Sequence, residues 1–329
     1  MRILVDEIRL RPVLYAKAML RHMGPEFWIV AIYPFYISWV WGSGEILPNY
    51  GWLEETPMYA GIYGVTIWEW VARSWEWVAG LLVIGPLLGG GTVLYDDYFD
   101  REVDRDNPRK RTLMFLKPRA HSSAVMAVAI GLFAASLAIA ALISAVFLAL
   151  SAVIVLLSLI YSTPPLRLKG RGGLDLLTNM LGFGVLCSLA GFSIAAPLRE
   201  YPWLWLVPML LGTGALFVPT TLADVVSDGR NGVRTIAVAL GVRRAIWLTI
   251  ALLFLANVAI LAFGAWGYLY SPWVVVRVWP ISVLELVPLF YLLRRPDLDN
   301  VLNVIFGTST LMAIGTLLLA LNHVGIWGP

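Results

Sequence analysis

Two short segments of this sequence gather carboxylate side chains at the spacing of a helical turn. They contain Asp96, Asp97, Asp100, Asp104, Asp224 and Asp228. At about 100° per residue, side chains three or four positions apart share one face of an α-helix, where like charges repel. Mg2+ offsets such repulsion and bridges carboxylates to substrate phosphates. We therefore predict that all six carboxylates bind metal, with two ions expected, and that all of them except Asp96 are catalytic.

Basic residues accompany these segments and point to the kind of substrate. They are Arg101, Arg105, Arg167, Lys169, Arg230 and Arg234. Arg and Lys side chains beside two metal ions would hold a diphosphate and neutralise its charge as it leaves. A solvated acidic loop flanked by ordinary interfacial charge is the alternative interpretation. Two such segments at equivalent positions favour the metal site.

The composition places this chemistry in a membrane. Of the 329 residues, 59% are hydrophobic and only 14% are charged, whereas soluble domains carry about 25% charged residues. The apolar excess excludes a disordered chain or a nucleic-acid-binding module despite the net charge of +3. The single cysteine, Cys187, excludes an intrachain disulfide.

Nine apolar runs are long enough to cross a bilayer, which needs about 17 to 25 residues per helix. The predicted spans are 26–42, 78–95, 122–141, 144–161, 174–195, 202–223, 246–268, 273–293 and 303–324. We divide the long run 122–161 at Leu142–Ile143. The acidic segments follow the second and sixth spans, a shift of four. We therefore predict one all-α domain, residues 1–329, built as two four-helix units plus one helix.

Lys and Arg are confined to alternate loops, and this asymmetry predicts an orientation. All 24 except Arg73, Arg199 and Arg277 lie on one side of the nine spans, and cytoplasmic loops collect such residues. We therefore predict a cytoplasmic N-terminus, an external C-terminus and an active site that faces the cytoplasm. The external segment 43–77 carries four Trp residues near its end. This pattern indicates an interfacial helix over 57–77 that anchors or covers the bundle.

Three motifs resemble those of the UbiA superfamily of intramembrane prenyltransferases. The family's first motif, N-D-x-x-D-x-x-x-D, is similar to residues 96–104, which read D-D-Y-F-D-R-E-V-D. Its second motif, D-x-x-x-D, is similar to residues 224–228. Its Y-S-x-P-P-x-R-x-K loop is similar to residues 161–169, Y-S-T-P-P-L-R-L-K. The resemblance covers nearly the whole chain except 43–77.

This resemblance implies a fold, a reaction and a set of residue roles. The fold would be a helical bundle around a central cavity, under a cytoplasmic cap formed by the 2-3 and 6-7 loops. Family members bind two Mg2+ that hold an allylic polyprenyl diphosphate, whose tail lies in a membrane-facing tunnel. The matching carboxylates are Asp97, Asp100, Asp224 and Asp228. The residues that match positions near the diphosphate are Tyr161, Lys169 and Arg101.

Two departures from the family pattern concern the metal site and the acceptor. Asp96 stands where the family has Asn, which adds a negative charge. Residues 107–114 replace the R-P-x-P-x-G of most aromatic prenyltransferases, and with residues 174–179 they resemble the branch that prenylates carotenoids such as lycopene. The expected acceptor is an aromatic quinone precursor or another lipid, and the resemblance to the carotenoid branch makes lycopene the alternative.

The predicted reaction is electrophilic alkylation. Departure of diphosphate leaves an allylic cation in a dry pocket, and alkylation of the acceptor releases a proton. Candidate proton acceptors are Asp104, Asp175 and Glu285, although a hydrogen bond to a neighbouring helix would also explain Glu285. The three His residues are far apart, and we assign them no role. Two alternative functions are a membrane terpene cyclase and a cation-coupled transporter.

Overall fold

The computed structural model describes residues 17, 19–49, 67–104 and 122–328, which form an all-helical protein. In this part of the chain, eight helices are long and apolar enough to cross a membrane, and the first helix is shorter. The nine are α1 (Pro25–Ser43), α2 (Trp75–Leu82, Val83–Gly89 and Gly90–Asp104), α3 (Ser122–Ile143), α4 (Ala145–Ser162), α5 (Leu174–Asn179, Met180–Leu186 and Cys187–Ala195), α6 (Leu206–Arg230), α7 (Val242–Ala265), α8 (Pro272–Leu284 and Val287–Arg294) and α9 (Leu298–His323). The chain is a multi-pass integral membrane protein.

The helix boundaries follow the predicted spans, with two informative differences. The division between α3 and α4 falls at Ser144, because its extended backbone interrupts the helix and its Oγ accepts a hydrogen bond from the N–H of Phe147 at 3.0 Å. In addition, α6 continues to Arg230, beyond the predicted end of its apolar run. The second acidic segment therefore lies on the helix and not in the loop after it.

The predicted interfacial helix over 57–77 is corrected in part. Its final residues begin α2, and only a short helix, Ile67–Arg73, precedes them; residues 50–66 lie outside the described part of the chain. In the first turn of α2, the ring of Trp77 lies 5.6 Å from that of Trp39 on α1. This aromatic contact anchors the end of the segment to the bundle.

Two of the spanning helices, α2 and α5, contain π-helical stretches. These are Val83–Gly89 and Met180–Leu186. Pro86 lies inside the first stretch, and because proline has no N–H it interrupts the α-helical hydrogen bonds. Local π-helical turns are frequent at functional sites. Both stretches line one cavity, described below.

The buried residues group the helices into two cores. One core is formed by α1–α5 and another by α6–α9, and an aromatic cluster joins them at one end. Gly191 allows α5 to approach α1 closely, because a Cβ at this position would lie 1.9 Å from the carbonyl oxygen of Phe35. The cores thus group α5 with the first four helices. The division into two four-helix units plus one helix stays a prediction.

Candidate functional site

The two acidic segments lie on neighbouring helices. The Gly90–Asp104 part of α2, which carries the first segment, packs against α6, which carries the second. Both segments lie near the C-terminal ends of their helices, and the loop between α4 and α5 contacts both regions. We call this side of the bundle the motif end.

Lys169 joins the loop between α4 and α5 to the first acidic segment. Its buried ammonium lies 2.8 Å from Oδ1 of Asp100 and also contacts Oδ1 of Asp96. Ser162 donates a hydrogen bond to Asp96 at 2.5 Å, and Arg167 pairs with Asp100 at 2.9 Å. The structure therefore brings four of the predicted site residues, Asp96, Asp100, Arg167 and Lys169, into direct contact.

The charge of Lys169 follows from these contacts. Burial alone would lower the pKa of the ammonium, but the carboxylates of Asp96 and Asp100 outweigh this effect and raise the pKa above its ordinary value. Lys169 is therefore a permanent cation at neutral pH. Two carboxylates one helical turn apart are neutralised by the protein itself.

His22 is a site neighbour that the sequence analysis missed. Its Nε2 lies 3.2 Å from Oδ2 of Asp97, although the two residues are far apart in sequence. No motif spacing signals such a contact, and a role for His22 beside Asp97 becomes a prediction. His323 lies elsewhere, with its ring 4.5 Å from that of Trp41, and His121 lies outside the described residues.

Two arginines present unsatisfied donors. Within the described part of the chain, Nε of Arg101 and Nε of Arg167 are buried and have no hydrogen-bond partner. A buried donor without an acceptor is uncommon and costs free energy, and a phosphate oxygen would satisfy it with a charge-assisted bond. These nitrogens therefore fit an anionic ligand at the motif end. By contrast, Arg230 and Arg234 are exposed.

The second acidic segment is stabilised by the turn that follows it. Asp224 and Asp228 are both half-buried and lie one turn apart on α6. Oδ2 of Asp228 accepts a hydrogen bond from Thr235 at 3.3 Å, and its backbone carbonyl accepts one from the N–H of Val233 at 2.9 Å. This turn brings the chain back towards the loop between α4 and α5.

The carboxylates suit a hard divalent cation, because oxygen atoms are the ligands that Mg2+ prefers. Among the described residues, however, no three carboxylate, imidazole or thiol groups already form a metal-binding cluster. Lys169 and His22 contact the carboxylates of α2 instead, so a metal ion would replace some of these contacts. Arg105 and the side chain of Asp104 lie outside the described residues.

Asp175 connects the two loops at the motif end. It is fully buried; its Oδ1 accepts a hydrogen bond from the N–H of Gly173 at 2.8 Å, and its Oδ2 accepts one from the N–H of Ile236 at 2.7 Å. Nearby, Arg171 and Arg234 form an isolated parallel β-bridge. Because both oxygens already bind backbone donors, this geometry favours a structural role for Asp175 over the predicted role as proton acceptor.

A narrow cavity of about 70 Å³ lies within the bundle. It is lined by α1, α2, α4 and α5, including residues of both π-helical stretches. Tyr161 and Thr92 line the end near the acidic segment, since Thr92 lies one turn before Asp96 and Tyr161 directly precedes Ser162. We call this the α2/α5 cavity. Its lining is mainly apolar, as a hydrocarbon chain requires.

Comparisons with known proteins agree with this arrangement. Residues 57–321 match the UbiA prenyltransferase family. A lycopene elongase/hydratase of Haloferax volcanii is 32% identical over 58% of this chain and 69% of its own length, and that of Corynebacterium glutamicum is 28% identical over 72% and 74%.

Solved structures show the same fold. A UbiA homolog from Archaeoglobus fulgidus bound to GPP and Mg2+ superposes with a TM-score of 0.67 at 19% identity, over 92% of this chain and 99% of that chain. A digeranylgeranylglyceryl phosphate synthase superposes with a TM-score of 0.62 at 15% identity, over 94% and 98%. The matched family, which covers most of the chain, and the shared fold lead to one conclusion: this protein belongs to the UbiA prenyltransferase family of enzymes.

Proposed function

We propose that this protein moves a prenyl group from an allylic polyprenyl diphosphate to a lipophilic acceptor, with Mg2+ as cofactor and release of diphosphate. The observation that carries this proposal is the cluster in which Lys169 and Arg167 contact the α2 carboxylates beside the unsatisfied Nε of Arg101. Structures of homologs bound to GPP and Mg2+ and to DMAPP and Mg2+ support the choice of ligands.

The acidic residues of the site would bind the metal. Mg2+, of which we propose two ions, would neutralise the negative charge that develops on the departing diphosphate. The carboxylates that would hold it are Asp97, Asp100, Asp224 and Asp228, and Asp104 stays a predicted ligand. We assign Asp96 a different role from the predicted one, because its contacts with Lys169 and Ser162 make it a partner that positions the lysine.

The basic side chains would hold the diphosphate from the protein side. Arg101 and Arg167 would donate their free Nε–H groups to phosphate oxygens, and Lys169 would add a buried positive charge. Tyr161 lines the α2/α5 cavity, where it would lie between the diphosphate and the tail. For Arg105, Arg230 and Arg234 the proposal rests on the sequence pattern alone.

The α2/α5 cavity would hold the prenyl tail and exclude water. In the reaction the C–O bond to diphosphate breaks, a C–C bond to the acceptor forms, and a proton leaves the alkylated acceptor. The allylic cation formed on the way is quenched by water, so an apolar lining protects it. The residues around Ile84 and Phe183, on the two π-helical stretches, provide such a lining.

We further propose that the acceptor is a polyene of the lycopene class. The curated relatives at 28% and 32% identity are both named lycopene elongase/hydratase, and residues 107–114 resemble the same branch.

The charge asymmetry of the loops supports an active site on the cytoplasmic side, with the N-terminus cytoplasmic and the C-terminus external.

Product analysis tests this proposal. Purified protein is incubated with Mg2+ and a panel of allylic diphosphates, including GPP, with and without lycopene, and the products are identified by mass spectrometry. We expect Mg2+-dependent diphosphate release coupled to a prenylated lycopene. Products formed from the diphosphate alone, as hydrocarbon or alcohol, would instead indicate a terpene cyclase. No release under any condition would favour a cation-coupled transporter.

A further inference from the structure

Four arginines lie close together on the motif end of the bundle, where α7 begins and α8 ends. Arg243 and Arg244 belong to the first turn of α7. Arg294 belongs to the last turn of α8, and Arg295 directly follows it. All four side chains are exposed. We call them the arginine patch.

An aromatic contact brings the two halves of the arginine patch together. The rings of Trp247 on α7 and Phe290 on α8 meet edge to face, with their centroids 6.2 Å apart. Arg243 precedes Trp247 by four residues, which places it one turn, about 6 Å, nearer the helix end on the same face. Arg294 follows Phe290 by the same number of residues. The rings and the arginines therefore form two successive layers.

The two layers have different surroundings. Trp247 and Phe290 are 49% and 46% exposed, although both belong to membrane-spanning helices, so these rings contact lipid. Aromatic side chains near the ends of spanning helices collect at the level of the lipid headgroups. The arginine patch lies one turn further out, which places its guanidinium groups beside the lipid phosphates.

The protein leaves the charge of the arginine patch largely uncompensated. None of its guanidinium groups forms an ion pair with another described residue. The acidic residues that follow along the chain are Asp297 and Asp299. Both oxygens of Asp297 accept hydrogen bonds from Asn300 and thereby close the first turn of α9, and Asp299 is exposed. Two carboxylates thus face four guanidinium groups, and a net positive charge remains.

The stability of α7 does not account for its two arginines. The N-terminal end of a helix carries a partial positive charge, so basic side chains in the first turn are unfavourable there. The excess of Lys and Arg on one side of a membrane protein explains basic residues at the motif end. It does not explain why they lie above exposed rings on two packed helices.

We propose that the arginine patch binds the phosphate group of an anionic phospholipid in the adjacent leaflet, while the acyl chains pack on Trp247 and Phe290. Arg binds phosphate through two parallel hydrogen bonds, and basic pockets between spanning helices are typical sites for such headgroups. The exposed rings favour a lipid over a soluble phosphate, which has no apolar part to place on them.

The bound headgroup would connect two helices. Because α8 is interrupted between Leu284 and Val287, its last segment is short, and a lipid that contacts both Arg243 and Arg294 holds this segment against α7. Binding requires neither Mg2+ nor an allylic diphosphate. The inference is therefore independent of the proposed function, and either can fail without the other.

Two lipids that differ in headgroup charge test the proposal. The full-length protein in detergent is titrated with equal amounts of phosphatidylglycerol and phosphatidylcholine that have the same acyl chains, and bound lipids are counted by native mass spectrometry. Each basic residue near an anionic lipid strengthens binding by about fivefold, so we expect at least about tenfold more phosphatidylglycerol on the wild type. Equal occupancy would overturn the proposal. Displacement of this lipid by an equal concentration of glycerol 3-phosphate would also overturn it, since a free phosphate would then suffice.

Matched variants assign the preference to the arginine patch. The double variant Arg243→Gln/Arg294→Gln should lower the ratio of the two lipids by at least about fivefold. If it does not fold, the two single variants replace it. The control is Arg199→Gln/Arg277→Gln, which removes two exposed arginines at the opposite end of the bundle and should keep the ratio. An equal fall in the control would show a general effect of net charge and contradict the assignment.

Thermal unfolding measures the consequence for α8. Phosphatidylglycerol should raise the melting temperature of the wild type, because a ligand that binds only the folded state stabilises it. Phosphatidylcholine should not. The rise should be lost in Arg243→Gln/Arg294→Gln and kept in the control variant. An equal rise in the double variant would mean that the lipid binds elsewhere and would overturn the site.

Discussion

The ammonium of Lys169 and the carboxylate of Asp100 lie 2.8 Å apart, and the same ammonium contacts Asp96 one helical turn away. These contacts join the loop between α4 and α5 to α2 through a buried charge. Removing one partner of a buried ion pair is costly, because the other charge stays behind without compensation. The lysine thus does in the metal-free protein what a divalent cation would do in the loaded one.

The first prediction concerns this exchange. Lys169→Met should lower the free energy of unfolding by about 3 kcal/mol in Mg2+-free buffer, because two carboxylates lose their cation. Saturating Mg2+ should restore most of this loss, as the metal neutralises the same carboxylates. The measurement is thermal unfolding of detergent-purified protein with EDTA or Mg2+. Lys169→Arg, which keeps the charge, is the control. A melting temperature of Lys169→Met that does not change with Mg2+ would show that the metal does not replace the lysine.

The pKa of Lys169 adds a pH dependence to this prediction. Because the folded-state pKa lies above the ordinary value of 10.5, the stabilisation is complete below that value and is lost as the pH rises through the raised one. The difference in melting temperature between wild type and Lys169→Met should therefore be constant from about pH 6 to pH 9. A difference that shrinks within this range would show that the ammonium loses its proton already within it, which would contradict the raised pKa.

The second prediction tests the metal ligands. Asp97→Asn and Asp228→Asn should each lower diphosphate release by at least about 100-fold, because the amide cannot neutralise the metal. Their melting temperatures without Mg2+ should stay close to that of the wild type. Asp299→Asn changes the same charge on an exposed residue in the first turn of α9, and it should leave turnover unchanged. Wild-type turnover in either site variant would remove that residue from the site.

The third prediction concerns the free donor on Arg101. Arg101→Lys keeps the charge but removes the buried Nε–H that has no partner among the described residues. We expect KM for the allylic diphosphate to rise by about tenfold, because one charge-assisted hydrogen bond is lost. Inhibition by inorganic diphosphate should weaken by the same factor. Arg199→Lys, on the exposed connection between α5 and α6, serves as control; an equal effect there would show that the change in KM reflects surface charge alone.

The positions of single helices are the most predictable feature of this fold. Apolar length located nine helices, eight of them long enough to cross a membrane, because a bilayer demands that length. It did not predict that α2 and α6 continue beyond their apolar runs to Asp104 and Arg230. The predicted division at Leu142–Ile143 lies just before the observed one at Ser144, whose hydroxyl caps α4. Trp77 was placed in an interfacial helix because the belt preference of tryptophan does not distinguish that helix from the first turn of a span.

The contacts between the elements of the site were less predictable. The pattern of acids and bases identified the residues around Lys169, since their spacing along each helix is local. By contrast, His22 meets Asp97, and Asp175 meets the N–H of Ile236, only through the packing of separate helices. No spacing in the sequence encodes such a contact. The hydrogen bond between Asn257 and Glu285 is of the same kind, because Asn257 belongs to another helix.

The fourth prediction concerns His22. A hydrogen-bonded neighbour orients a carboxylate for metal binding, and its loss typically costs about 10- to 100-fold in affinity. His22→Ala should therefore raise the Mg2+ concentration for half-maximal activity by about tenfold, while kcat at saturating Mg2+ stays within about twofold. His22→Gln, which can keep one N–H donor near Asp97, should behave like the wild type. An unchanged Mg2+ requirement in His22→Ala would mean that the contact is lost when metal binds.

The last prediction separates a structural role of Asp175 from a catalytic one. Its two oxygens accept hydrogen bonds from the backbone of Gly173 and Ile236, so Asp175→Ala leaves two N–H groups without partners. The free energy of unfolding should fall by about 2 kcal/mol. Asp175→Asn keeps one acceptor, so its free energy of unfolding should lie between those of the wild type and Asp175→Ala. If Asp175 only connects the loops, the Asn variant retains turnover within about threefold at a temperature where it is folded. A loss of several orders of magnitude in kcat without a loss of stability would instead make Asp175 the proton acceptor.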